Sequence, residues 1–383
     1  MSMEPRMLKE GFARLENSSD KAMSYFYGRL FAANPRLRAL FPVALDAQRD
    51  RFFHALNRIV WSQDNPDDLA CHLARLGRDH RRYGVTAEHY AAVEDALLAT
   101  LRVFARDVWS PRAEEAWTNA YRSAAAAMAE AAERDAGAPP WWAAEVVEHD
   151  RRADDLAVLT LSPERPLPFA PGQYVTVQTS RWPRVWRPYS IANAPRSDGR
   201  LRLHVRARPG GWVSGALVRD TGTGDTVLLG PAAGTMTLDP DSGRDLLLVA
   251  GGTGLAPIKA LAEQAVAPGR RRDVRLLVGA RTERDLYDLS DLRLLESVYP
   301  WVRVLPVLSD EPDFRGLRGT PADVLTDVLA DLLEDADGRD DPWDGLDAYV
   351  AGPVPMVRRT VAALQRLGMP LKRVHHDLLR AEE

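Results

Sequence analysis

The sequence predicts a multidomain chain: an all-α domain, then an antiparallel β-barrel, then an α/β domain with a doubly wound parallel sheet. Three observations carry this. Residues 1 to about 135 hold few glycines and keep helical spacing of apolar residues almost throughout. Short runs of alternating apolar and polar residues follow. From Asp245 onward, apolar strand-length runs alternate with helical segments. A chain of 383 residues is also too long for one ordinary core.

Each element has a local reason. Ser18-Ser19-Asp20 is placed to cap a helix carrying Met23, Tyr27, Leu30 and Phe31 on one stripe. A second helical pattern runs through Phe52, Phe53, Leu56 and Val60 and ends near Asp64-Asn65-Pro66. Asp67 to His80 is a third, with Leu69, Leu73 and Leu76 on one face. Thr86 starts a helix through Val93, Leu97 and Leu101, and Ser110-Pro111 starts another through Trp117, Tyr121 and Met128. Gly137-Ala138-Pro139-Pro140 then reads as a linker, because Pro-Pro cannot continue a helix. Leu156, Val158 and Leu161, then Tyr174, Val175 and Val177, then Leu201, Leu203 and Val205 mark short strands. Further strands are predicted at 246–250, 274–280, 303–308 and 348–351, with helices at Pro257–Gln264 and Thr320–Leu333 between them. Thr320-Pro321-Ala322-Asp323 resembles a capping box. The predicted domains are 1–136, 143–240 and 241–383.

Composition narrows the function. A formal net charge of −4 gives neither a nucleic-acid footprint nor an acidic tail. The single cysteine, Cys71, excludes an intramolecular disulfide framework and a multi-cysteine iron–sulfur site. The polar start, Met-Ser-Met-Glu-Pro-Arg, lacks a signal-peptide core, and no apolar run is long enough to span a bilayer. The expected compartment is the cytoplasm.

The motifs lie in the second and third predicted domains. Arg187-Pro188-Tyr189-Ser190 resembles the flavin signature of the ferredoxin reductase family, and Leu248-Val249-Ala250-Gly251-Gly252-Thr253-Gly254 resembles its nicotinamide-binding turn. Arg187 can neutralise a flavin pyrophosphate, Tyr189 can lie against the isoalloxazine, and Ser190 can hydrogen-bond near N5. Gly172-Gln173-Tyr174 and Gly210-Gly211-Trp212-Val213-Ser214 resemble further family elements, the latter with Val213 and Ser214 at the phosphates. Gly251 to Gly254 follow a buried strand and precede a helix, where backbone and helix N-terminus can approach a pyrophosphate. Such a turn alone also serves plain packing; its order after the flavin signature favours the nucleotide. Ala351-Gly352-Pro353-Val354-Pro355-Met356 resembles the family's Cys-Gly-Pro-x-x-Met beside the nicotinamide, with alanine for cysteine. Arg281 and Arg284 are placed either to meet an adenosine 2′-phosphate or to stand as solvated charges, so NADH and NADPH both fit.

Electrons released by such a module need an acceptor, and without an iron–sulfur site haem is the economical one. The run from Met23 to Phe31 resembles the B helix of bacterial flavohaemoglobins, and with it the resemblance extends over essentially the whole chain. It implies Tyr27 and Gln48 as donors to a haem-bound ligand, Phe41 packed on haem b, His80 as the iron ligand and Tyr90 behind it. Independently, Leu73 and Leu76 precede His80 on its own helical stripe and give its imidazole an apolar setting. Several positions depart from the pattern. Asp79 stands where a lysine is usual and Phe52 where a leucine is. Ala132 takes the place of a glutamate, and Leu379 that of an aromatic residue. The segment from Phe41 to Gln48 is shorter than usual. Glu133, next to Ala132, is expected to point about 100° away.

The resemblance implies a nitric oxide dioxygenase that spends NAD(P)H through FAD on nitric oxide and O2. Its alternatives are a globin-coupled flavin reductase serving another acceptor and a haem-based sensor of O2 or redox state. The partners implied are these small molecules, with no nucleic acid and no membrane span.

Overall fold

The computed structural model describes residues 3–62, 65–239, 241–267, 271–334 and 343–376. The chain divides into two compact units, one built on the residues up to Trp141 and one beginning at Trp142.

In the first unit the helical spacing becomes α1 (Met3–Glu16), α2 (Ser19–Ala33), α3 (Asp46–Trp61), α4 (Pro66–Arg81), α5 (Ala87–Phe104) and α6 (Pro111–Arg134), with a 3₁₀ turn at Pro35–Leu40. Asn65 accepts the Asp68 N–H ahead of Pro66, and Ser110 accepts the Ala113 N–H ahead of Pro111. Proline there removes only a donor that a helix leaves unpaired anyway. His89 turns back on its own helix start, its Nδ1 accepting from the Thr86 N–H at 3.0 Å. The expected Ser18 cap differs: its side chain makes no capping bond, while its carbonyl accepts the Ala22 N–H at 2.9 Å.

The buried apolar side chains of this unit form two separate clusters. The larger gathers Phe12, Phe26, Tyr27, Leu56, Leu97 and Trp117 from α1, α2, α3, α5 and α6. The smaller joins Leu73 of α4 to Ala124 and Met128 of α6. At Gly77 these two helices touch, since a Cβ there would lie 2.1 Å from the Met128 carbonyl oxygen.

The second unit holds two sheets. In the first, β1 (Trp142–Ala153), β2 (Leu156–Pro163), β3 (Tyr174–Thr179), β4 (Arg187–Ser190), β5 (Leu201–Arg206) and β6 (Thr226–Leu229) pair antiparallel in the order β4-β3-β6-β1-β2-β5. A bridge from Ile191 to Leu203 brings the two edges together, so the sheet is a nearly closed barrel. Its filling follows the period of two: Leu159, Leu161, Val175, Val177, Leu201 and Leu203 are all fully buried. Helix α7 (Trp212–Arg219) packs on this barrel with Val213, Leu217 and Val218 inward.

The second sheet contains β7 (Asp245–Gly251), β8 (Val274–Ala280), β9 (Val302–Leu308), β10 (Leu317–Arg318), β11 (Leu346–Ala351) and β12 (Val374–His375). All pairs are parallel, in the order β10-β9-β8-β7-β11-β12. Leu246, Leu248 and Ala250 of β7 face α8 (Leu255–Ala265) and α9 (Leu289–Val298). Leu247 and Val249 face α10 (Leu325–Glu334) and α11 (Val354–Arg366). Strands covered on both faces read as continuous apolar runs, as these do. The helix expected from Thr320 starts later: Asp323 accepts from the Thr320 N–H at 2.8 Å and closes a turn, and α10 follows it. No helix among the described residues is long and apolar enough to cross a membrane.

Candidate functional site

The helical unit carries Tyr27 on the buried stripe of α2 and Gln48 in the first turn of α3. The Tyr27 hydroxyl donates to the Gln48 main-chain carbonyl at 3.3 Å. Burial pushes the phenol pKa up, and the nearby Gln48 side chain, Arg51 and Arg49 pull part of that back. Its ring meets Phe41 edge-on at 5.7 Å and lies 5.8 Å from Phe31. Phe52 stacks on Phe26 at 4.4 Å and turns towards Tyr27 at 6.2 Å, so its added bulk is taken up by aromatic contacts.

The shortened segment after Phe41 has its own clamp. Arg38 donates to the carbonyls of Phe41, Pro42 and Val43 at 3.3, 2.8 and 2.7 Å, with its guanidinium over the Phe31 ring. This residue carries no motif; its signal is only that a short loop leaves carbonyls in need of donors.

His80 sits in the last turn of α4, the helix pressed on α6 at Gly77. Its Nδ1 is buried without a hydrogen-bond partner, and Tyr90 of α5 meets the ring edge-on at 6.1 Å. Burial lowers its pKa against the pull of Asp79, so the imidazole is neutral with a lone pair to give. Tyr90 is itself fixed from behind, its carbonyl accepting from the Tyr121 hydroxyl at 2.9 Å. Asp79 is engaged by Arg82 three residues on, and Glu133 is exposed, as its helical phase requires. Haem fits these residues. They offer a neutral imidazole with an orphaned ring nitrogen, and both clusters leave apolar side chains only partly covered, including Phe41, Phe52, Leu76 and Tyr90.

In the barrel, β4 consists of Arg187, Pro188, Tyr189 and Ser190, all half-buried. Its register sets Tyr174 opposite Ser190 and Val175 opposite Tyr189, and alternation puts Arg187 and Tyr189 on one face of β4. Burial raises the Tyr189 pKa, and the guanidiniums of Arg187 and Arg208 pull it back. Arg208, exposed ahead of the Gly210-Gly211 turn, went unnoticed in the sequence; two cations beside Tyr189 suit a pyrophosphate. Gly210 has φ +71°, and a Cβ on Gly211 would come 2.4 Å from Ser214 Oγ. Val213 and Ser214, read as part of a turn, open α7 instead. The Ser214 hydroxyl accepts from the Arg208 N–H at 3.2 Å. FAD fits a site with this charge at a helix N-terminus.

The two glycine motifs of the parallel sheet prove to be neighbours. A Cβ on Gly254 would lie 2.4 Å from the backbone of Ala351 and Gly352, and one on Gly251 would lie 2.3 Å from Met356 Sδ. Gly252 takes φ +53° between them. Thr253 stands within this turn, and Pro353 caps α11 beside it. The glycines therefore serve close packing of the β7 and β11 ends and leave backbone bare for a dinucleotide. Arg281 donates to Asp310 at 2.8 Å, whereas Arg284 is exposed. Leu379 lies outside the described residues.

A buried polar network ties the barrel to this sheet. Lys259 donates to Asp288 at 2.6 Å and Asp291 at 2.8 Å, Arg202 approaches Asp291, and Arg152 donates to the Tyr287 carbonyl at 3.1 Å. His204 Nδ1 lies 2.8 Å from the Tyr287 hydroxyl, and its Nε2 is buried without a partner. Burial carries the His204 pKa from 6.5 down to about 3, assisted by Lys259 and nearby arginines. A folded pKa below the unfolded one means the unfolded chain binds the proton first. The stability due to His204 is therefore complete above about pH 6.5 and falls by about 1.4 kcal/mol per pH unit between there and about pH 3. The urea midpoint of this unit should drop more steeply over that window in the native protein than in His204→Asn; equal slopes would contradict it.

Comparison with known proteins matches the same three regions. The globin family covers residues 24–128, the oxidoreductase FAD-binding domain 143–237, and the oxidoreductase NAD-binding domain 248–362. A flavohemoprotein of Bordetella pertussis is 29% identical over 406 residues, spanning 99% of this chain and 98% of that one. Along its whole length the chain is similar to flavohemoproteins, with the globin, FAD-binding and NAD-binding domains in one chain. A flavohemoglobin from Malassezia yamatoensis, solved with FAD and haem, shares the fold across 99% of both chains with a TM-score of 0.75 at 18% identity. The reductase half also resembles the reductase subunit of an Amycolatopsis aromatic O-demethylase, 36% identical over 61% of this chain and 68% of that one. With these three domains in one chain, this is an NAD(P)H-dependent flavohaem oxidoreductase with haem, FAD and a nicotinamide nucleotide as cofactors.

Proposed function

We propose that this flavohaem oxidoreductase is a nitric oxide dioxygenase. One NAD(P)H supplies two electrons; two nitric oxide and two O2 take them up, giving two nitrate ions, NAD(P)⁺ and a proton. The cofactors, when bound, supply hydride acceptance, single-electron release and O2 binding at iron. The observation that carries the proposal is the Tyr27 hydroxyl beside Gln48 at one apolar cluster, with the buried neutral imidazole of His80, its Nδ1 without a partner, beside the other.

In this reading His80 holds the iron and Tyr90 fixes the plane of its ring. Phe41, kept in place by Arg38, packs against the macrocycle. With haem and O2 bound, the Gln48 amide and the Tyr27 hydroxyl, once turned from the Gln48 carbonyl, would donate to the ligand and stabilise negative charge on it. Arg187 and Arg208 hold the FAD pyrophosphate with the α7 start at Val213 and Ser214, while Tyr174, Pro188, Tyr189 and Ser190 hold the isoalloxazine. Gly251, Gly252, Thr253 and Gly254, with Gly352 and Pro353, hold the nicotinamide nucleotide. The domain limits we propose are 1–136, 143–240 and 241–383.

Nitric oxide added to air-equilibrated protein should accelerate NAD(P)H oxidation and yield nitrate. An unchanged rate would reject the proposal. In its place would stand a flavin reductase serving another acceptor, which the likeness of the second unit to an aromatic O-demethylase's reductase subunit favours.

A further inference from the structure

The first turn of α3 holds a contact that neither the motifs nor the proposed reaction uses. The Arg51 guanidinium donates to Oε1 of Gln48 at 3.2 Å. Arginine carries only donors, so the atom it meets must be the amide oxygen, and the orientation of the Gln48 amide follows from chemistry. The Gln48 NH2 is thereby turned away from Arg51. The Gln48 side chain is directed at Tyr27, where its hydrogen bonding draws down the pKa of that buried phenol. Arg49, the other cation near Tyr27, approaches Asp46 at 3.7 Å and makes no such bond to Gln48. Without Arg51, the amide could turn over and present a carbonyl oxygen towards the same space at little cost. A lone pair there would repel the negative end of a bound diatomic ligand, where an N–H attracts it.

We propose that Arg51 is a positioning residue for haem-ligand binding: by holding Oε1 of Gln48, it commits the amide to act as a donor on the Tyr27 side. This rests on the reading of Tyr27 and Gln48 as the ligand-facing pair. Arg51 acts through Gln48 and is not itself assigned a contact with the ligand.

The test uses the full-length protein loaded with haem and reduced, with carbon monoxide as probe. The C–O stretching frequency reports the polarity met by the ligand's outer atom, independently of turnover. A lost donor raises it. Arg51→Leu should raise the frequency in the same sense as Gln48→Leu, and should speed O2 release about tenfold, the scale of one lost hydrogen bond. Arg51→Lys, which keeps a cationic donor, should restore most of the native value. In the Gln48→Leu background, adding Arg51→Leu should change nothing further.

An unmoved frequency in Arg51→Leu would overturn the proposal, as would a shift that simply adds to that of Gln48→Leu, since a bare charge effect does not need Gln48. If Tyr27→Phe and Gln48→Leu also leave the frequency unmoved, the ligand-facing reading itself falls. If those two shift it and Arg51→Leu does not, only the role of Arg51 falls. Native-like helicity by circular dichroism in each variant separates these outcomes from misfolding.

Discussion

His80→Ala is expected to give a folded protein that retains FAD and loses its Soret band. The residue sits in the last turn of a helix that α6 already supports through the Gly77 contact, so truncating the imidazole leaves the helix intact. What disappears is the proposed ligand to iron, while Tyr90 and the apolar side chains around it can offer only packing. Each 1.4 kcal/mol of binding lost is a factor of ten in affinity, so haem content should fall by more than about tenfold. Haem and flavin absorbance per chain, measured on the same purified sample, check this. Full haem occupancy in the variant would remove His80 as the ligand. Flavin lost along with haem would mean that the substitution unfolds more than its own unit.

The second large effect is expected at Lys259. Its side chain is 6% exposed and its ammonium lies against Asp288, whose side chain is 1% exposed. Burial pushes the Asp288 pKa up and Lys259 draws it down, so the pair is mutually dependent. Lys259→Met leaves the buried Asp288 carboxylate with only the Arg152 guanidinium at 4.0 Å and should cost about 3 kcal/mol, the lower end of the range for breaking a buried ion pair. Asp291 lies nearer solvent and can rehydrate, which keeps the cost from growing further. Denaturant unfolding followed by flavin fluorescence measures it. Lys259→Met/Asp288→Asn should recover much of the loss, because neither charge then remains buried. A double variant as unstable as Lys259→Met would place the cost in packing rather than charge. Because the network joins residues of both sheets, hydride transfer from NAD(P)H should slow in the single variant even where it stays folded.

What the sequence made legible divides along one physical line. Elements and motifs that declare themselves within a dozen residues were readable. Pro66 and Pro111 mark helix starts, the period-two strands fill the barrel, and Gly251–Gly254 announce the tight turn from β7 into α8. The role of those glycines was only half visible. Nothing local shows that Gly254 packs against the backbone of Ala351 and Gly352, a contact made across the sheet. Helix α7 was hidden for a related reason, since its two leading glycines read as a turn while its apolar face is defined only by the barrel beneath it. Arg38, Arg51, Arg208 and the Lys259 network were missed outright. A surface-type residue acquires a role only from the partner that the fold brings to it; for Arg208 and Lys259 that partner lies far away in sequence, and for Arg38 and Arg51 it is a nearby carbonyl or amide whose orientation only the folded chain sets. Asp79 shows the reverse. In sequence it reads as a lost positive charge, but Arg82 stands three residues on and engages it.

The central claim is that this one chain carries electrons from a nicotinamide nucleotide through flavin to haem. Rapid mixing of the oxidised, fully loaded protein with NADH or NADPH, without oxygen and followed at flavin and Soret wavelengths, tests it most directly. Bleaching of the flavin followed by conversion of the haem to its ferrous spectrum is the predicted result. A flavin that bleaches beside a haem that stays ferric would contradict it.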